Sequence, residues 1–208
     1  MLYQEFHSAM SAQAFFTSNQ VYAWRPGFDK NNLSRWTKKG LLIKLRNGYY
    51  TFPEFLSESN FGLFLANKIY KPSYISLHTA LAFHGLIPEA VVQFTSVSTR
   101  KTKTFENSFG TFSYKTIKAQ VFFGYDPIPF TGGKTLLMAK PEKALLDLLY
   151  LYPFYKTEDD YANLRLDEYF IEESLNVDLL QSYTKKFKTV RLAKRIKSLL
   201  NVYNLSYD

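Results

Sequence analysis

The chain has 208 residues, 46% of them apolar and 18% aromatic, with a formal net charge of +8 and no cysteine. That apolar share is enough for one large folded domain or two small ones, so disorder is not the default class. The lack of cysteine excludes disulfides and thiolate zinc sites, and the surplus of 26 Lys and Arg over 18 Asp and Glu suits a polyanionic partner such as nucleic acid.

The first residues, MLYQEFHSAM, carry Glu5 early and lack the basic start and apolar run of a secretory signal. The most apolar later stretch, 144–154, is interrupted by Asp147 and is too short to span a bilayer, so a cytoplasmic protein with no membrane partner is expected. Residues 2–17 place Leu2, Phe6, Met10, Gln13 and Phe16 at helical spacing, which predicts a first helix. In 18–28 the pattern is less regular, and Pro26-Gly27 leaves room for only about a turn of helix around Ser18 to Trp24.

Residues 29–52, DKNNLSRWTKKGLLIKLRNGYYTF, organise the rest. Asp29 is placed to cap a helix and Gly40 to end it. At about 100° per residue, Leu33, Trp36 and Thr37 project to one side, while Asn31, Ser34, Arg35 and Lys38 gather on the other. After Gly40 the period becomes two, and Asn47-Gly48 predicts a two-residue type I′ hairpin. Plain pairing across that turn puts Ile43, Leu45, Tyr50 and Phe52 on an inward face and Lys44, Arg46, Tyr49 and Thr51 on an outward one. A short helix carrying amide, hydroxyl and guanidinium groups fits the major groove of double-stranded DNA, with the hairpin beside it on phosphate. The candidate DNA-binding residues are Lys30, Asn31, Ser34, Arg35, Lys38, Lys39, Lys44, Arg46 and Tyr49.

Pro53 and the polar residues 57–60 mark a boundary, with helices expected over Phe61 to Tyr70 and Ser76 to His84, the second capped by Ser76 and stopped by Gly85. Val, Phe, Thr and Tyr with partial alternation predict four strands at 91–99, 111–117, 120–125 and 135–139, and the basic, then polar, segment 100–108 is expected as a loop. Pro141 opens a strong helix to Leu151, with Glu142 in its first turn. Two charge blocks close the chain. Acids dominate 158–178, and 185–197 is basic throughout, with Lys188, Arg191, Lys194 and Arg195 as a second candidate patch. The blocks can pair with each other or serve two partners, and Val190, Ala193, Ile196, Leu199 and Leu200 provide an apolar side for a last helix. The fold class expected is α+β: an N-terminal winged helix-turn-helix over 1–55, then a mixed α/β domain over 60–208. Each has its own apolar set, the first made of Phe6, Met10, Leu33, Trp36, Leu45, Tyr50 and Phe52.

Residues 131–135, TGGKT, end like a phosphate-binding loop but lack its first glycine, since Ile128 stands there, and read as a turn. His7, His78 and His84 are too few and scattered for a metal site, and Glu142 and Asp147 diverge, suiting a helix cap and a surface acid. No catalytic residues, metal or cofactor are expected. The segments SRWTKKGLLIKLRNGYYTF at 34–52, YISLHTALAFHGLIPE at 74–89 and MAKPEKALLDLLYL at 138–151 together resemble the AbiEi-type antitoxins, transcriptional regulators of bacterial type IV toxin-antitoxin systems. The resemblance implies a winged domain that represses its own operon and an α/β domain that counteracts a nucleotidyltransferase-like toxin, with or without direct contact. The acidic and basic tail has no counterpart in that pattern. Two other classes stay open: an enzyme acting on nucleic acid, and a ligand-responsive repressor with an apolar pocket in its second domain.

Overall fold

The structure is a computed structural model that describes residues 3–88 and 93–205. Leu2 of the expected first helix, Glu89 of the second resembling segment and the first two positions of the strand expected at 91–99 lie outside the described residues. The fold is mixed α+β.

The first helix, α1 (Tyr3–Met10), stops earlier than its periodicity suggests; a single turn at Ser11–Gln13 follows, and Ala14 at φ 63° swings the chain into a strand, β1 (Phe15–Thr17). Phe16 therefore belongs to a strand. The local cause is Thr17, held extended while its hydroxyl accepts from the Gln20 N–H and the Gln20 side chain accepts from the Thr17 N–H. That capping box starts α2 (Ser18–Trp24). After a connection in which Phe28 is buried, α3 spans Asn31–Lys38; Asp29 accepts from the Asn31 N–H at 3.0 Å, and Gly40 ends the helix at φ +71°. The hairpin is β2 (Ile43–Arg46) and β3 (Tyr49–Thr51), and the three strands lie in the order β1-β3-β2.

The hairpin departs from plain pairing. Arg46 faces Tyr49 as expected, but Tyr50 faces Lys44 and Thr51 faces Ile43, which leaves Leu45 as a bulge. Gly48 alone of the turn pair lies at positive φ (74°), so the turn is not type I′, and the bulge absorbs the mismatch in strand twist. The expected inward face is thereby split. Phe16 and Phe52 pack with Phe6, Met10, Val21, Leu33 and Trp36 in a small core, whereas Leu45 is 1% exposed and, with Ala14, belongs to the larger core, against which Phe15, Ile43 and Tyr49 also pack. Thr51, expected outward, is buried and donates to the Ala14 carbonyl.

Beyond a short turn at Pro53–Ser57 come α4 (Phe61–Lys68), β4 (Ser73–Ile75), α5 (Leu77–Phe83), β5 (Gln93–Ser98), β6 (Lys103–Asn107), β7 (Gly110–Thr116), β8 (Tyr125–Phe130), β9 (Lys134–Ala139) and α6 (Pro141–Leu151). Among the described residues these strands form one sheet in the order β6-β7-β5-β4-β9-β8, with β4 parallel to β9, β5 parallel to β7, and the other pairs antiparallel. The four expected strands need correcting. The segment 120–125 is mostly a turn, the strand beginning at Tyr125 runs on through Pro127 and Pro129, and the expected loop 100–108 contains β6. A third unexpected strand, β4, is three buried residues lying between β5 and β9, too short to show a period; β6 and β8 are the sheet's edges, where proline is tolerated and little apolar alternation is demanded.

The helix α6 is buried on nearly all sides: Ala144, Leu145, Leu146, Leu148 and Leu149 are each 0% exposed. Asp147 is buried as well, which overturns its expected place on the surface. Its Oδ2 accepts from Tyr74 Oη and from Ser76 Oγ, both at 2.8 Å, and its Oδ1 accepts from Lys143 Nζ one turn away; Lys143 also donates to Tyr74 Oη at 2.7 Å. Burial pushes the Asp147 carboxyl up and the Lys143 ammonium down, and each partner's charge offsets part of the other's shift. Ser76 stands at the start of α5 without capping it, because its hydroxyl is turned to Asp147. Glu142, at 4% exposure, accepts from the Asn176 N–H instead of capping its own helix.

The tail folds into α7 (Glu158–Ala162), α8 (Glu168–Glu173), α9 (Val177–Phe187) and α10 (Val190–Val202). In α10 the buried set is Leu192, Ile196, Leu199 and Leu200, so the expected apolar side holds at its last three positions, whereas in the first turn Leu192 is buried and Val190 is 73% exposed. Among the described residues no helix is long and apolar enough to cross a membrane.

Candidate nucleic-acid interface

Leu33 and Trp36 turn α3 inward, where Trp36 meets the rings of Phe6 at 4.7 Å, Tyr3 at 5.4 Å and Phe28 at 5.9 Å. That anchoring leaves Lys30, Asn31, Ser34, Arg35, Lys38 and Lys39 exposed together on and beside the helix. Arg35 donates to Asn32 Oδ1 and stands 3.8 Å from Asp29, an exposed arrangement that holds the guanidinium loosely over the first turn of α3.

The hairpin residues divide. Lys44 is exposed. Arg46 and Tyr49 are turned instead toward the larger sheet: the Arg46 guanidinium lies 3.8 Å from the Tyr49 ring centroid and 5.4 Å from that of Phe105 on β6. Asn107 Nδ2, also on β6, donates to the Leu45 carbonyl at 3.2 Å, a group the bulge frees from the strand ladder. The β2–β3 hairpin is docked on the edge of the second sheet, and two of the residues expected to meet a partner are engaged in that contact. Sequence pairing missed this because the bulge moves Arg46 and Tyr49 to the opposite face from Lys44.

Gly48 ties the hairpin tip to α2, since its carbonyl accepts from the Ser18 N–H at 2.9 Å and a Cβ on it would come 3.1 Å from Ser18 Oγ. Gly48→Val should therefore lower unfolding stability by about 1–2 kcal/mol through left-handed strain alone. Urea denaturation checks this, and an unchanged midpoint would show that the turn relaxes freely.

In the second basic set, Lys188, Arg191 and Lys194 are exposed, but Arg195 is half-buried and donates to the Leu149 carbonyl at the end of α6. Arg195 thus fastens α10 to α6. The acidic and basic blocks meet through packing: α7 lies against α10, and Tyr203 Oη donates to the Tyr161 carbonyl at 3.3 Å. No family model matches the chain, and no curated protein does. Among the described residues no group of three His, Asp or Glu side chains converges as the ligands of a metal ion would. The nearest approach to a reactive cluster, Lys143, Asp147, Tyr74 and Ser76, is sealed from solvent, with both Lys143 and Asp147 at 0% exposure. The turn at 131–133 joins β8 to β9, with both of its glycines at positive φ.

Proposed function

We propose that the amino-terminal unit is a winged helix-turn-helix that binds double-stranded DNA through α3, and that the protein is an antitoxin without enzymatic activity. The observation that carries the DNA reading is the order helix, strand, helix, helix, hairpin, with strands β1-β3-β2, behind a basic face on α3 that is exposed opposite Leu33 and Trp36. In such docking the first turns of the recognition helix reach base edges, so Asn31, Ser34 and Arg35 read sequence while Lys30, Lys38, Lys39 and Lys44 hold phosphate. The antitoxin reading rests on the resemblance of 34–52, 74–89 and 138–151 to the AbiEi type. Its support in the fold is that the last two segments pack together: β4 pairs with β9, α5 lies on α6, and Ser76 bonds Asp147. Its DNA target is then its own promoter, its place the cytoplasm, and its functional partner a nucleotidyltransferase-like toxin.

Gel-shift titrations on the promoter and on a scrambled duplex test the DNA reading. Arg35→Ala should weaken promoter binding by about 1–3 kcal/mol and narrow the gap between the two duplexes. Lys44→Ala should weaken both alike and reduce the salt slope by about one unit. Arg46→Ala should leave the slope unchanged, since its guanidinium is stacked against Tyr49. A wild-type protein that binds neither duplex would rule out the reading, and failure to restore growth on co-expression with the toxin would rule out the antitoxin role.

A further inference from the structure

A cleft of about 660 Å³ opens where the connector after Pro53, the start of α4, the end of α5 and the β6–β7 turn meet. Its size falls within the range of small-molecule sites, about 300–1,000 Å³. Four aromatic side chains, Phe61, Phe83, Phe94 and Phe109, line it among aliphatic and polar ones. Two large apolar side chains are left open to solvent here, Phe83 at 43% and Leu56 at 52% exposure, and grouped exposed apolar groups mark binding sites more often than single ones do.

The back wall is fixed in place. Phe94 stacks on Phe112 at 5.0 Å and rests on the backbone of α4 at Gly62, where a Cβ would come within 2.1 Å of the ring. Phe61 and Phe109 are in ring contact at 5.1 Å. Charge then narrows the occupant. In a chain of net charge +8, the one charged side chain lining the cleft among the described residues is an acid, Glu58, whose Oε1 accepts from Thr131 Oγ1 at 2.7 Å. A phosphate or nucleotide would meet a carboxylate and no cation, so this cleft does not continue the basic face of α3.

We propose that the cleft is a binding site for a small planar aromatic molecule carrying a positive charge, with its ring against the phenylalanines and its ammonium toward Glu58. Ring burial supplies the affinity and the carboxylate selects the sign of the charge. The site stands apart from the DNA surface, and its test requires no DNA.

Saturation-transfer NMR and thermal melts of the full-length protein would use three probes: tryptamine, indole-3-acetate with the same ring and the opposite charge, and hexylamine with the charge and no ring. Tryptamine should bind and raise the melting temperature, indole-3-acetate should bind roughly two- to five-fold more weakly or worse, and hexylamine should not bind. Glu58→Gln should erase the preference between the two indoles. Ala82→Trp fills the cleft from α5 and should abolish tryptamine binding; should that variant fail to fold by circular dichroism, Phe83→Ala at its exposed position should weaken binding several-fold. Absence of binding by tryptamine, equal binding of all three probes, or tryptamine binding unchanged in both Ala82→Trp and Phe83→Ala would overturn the proposal.

Discussion

Asp147→Ala is expected to lower the free energy of unfolding by about 3–5 kcal/mol, because it strands a buried ammonium. Lys143 is 0% exposed, and its Nζ keeps only Tyr74 Oη as an acceptor once the carboxylate is gone. Tyr74 and Ser76 each lose an acceptor in the same step, so β4 and the start of α5 come loose from α6 together. The Lys143→Met, Asp147→Leu double variant should recover most of that loss, since a buried pair replaced by apolar side chains of similar volume no longer bears the desolvation of two charges. Urea denaturation of Lys143→Met, of Asp147→Leu and of the double variant decides it. Additive losses would mean that the two groups do not act as one unit.

The second large effect lies at the bulge. Leu45→Ala should cost about 2–5 kcal/mol, as for a leucine buried in a close-packed core, whereas Lys44→Ala next to it should be nearly neutral because that side chain is exposed. Plain pairing would have placed Leu45 in the small core beside Tyr50; the structure places it in the large one. A double-mutant cycle on Arg46→Ala and Phe105→Ala tests that docking, the cycle cancelling the packing that Phe105 loses against Tyr70 and Tyr114, with an expected coupling of about 0.5–1 kcal/mol for a cation held over a ring. Zero coupling would mean that the hairpin stands free of β6. On the DNA reading proposed above, that docking would fix the orientation in which α3 meets a duplex.

The elements legible in the order of residues were those whose causes are local. Pro141 at a first turn and a dense apolar run define α6 to the residue; Gly40 and Gly85 at positive φ stop α3 and α5; Leu33 and Trp36 at helical spacing separate the buried face of α3 from the exposed basic one. The burial of Asp147 was misread as a surface place, although the signal lay close by: with Leu145, Leu146, Leu148 and Leu149 around it, α6 has no polar side on which an acid could reach water. The edge strands β6 and β8 were not, because an edge needs neither strict alternation nor every backbone donor, and K-T-F-E-N or Y-D-P-I-P-F satisfies it.

By itself, then, the sequence determined the α+β character, the principal helices and the basic face of α3, all of which follow from periods and stops spanning a few residues. The tertiary structure alone decided which side of the hairpin meets the body, that Arg46 and Tyr49 serve its docking, and that Asp147 is bonded by Tyr74 and Ser76 from more than 70 residues away. The reason is the same in each case. A one-residue bulge or a buried ion pair is locally unfavourable and persists only where distant side chains supply a core for Leu45 or hydrogen bonds for a carboxylate, and no short window of sequence contains those partners.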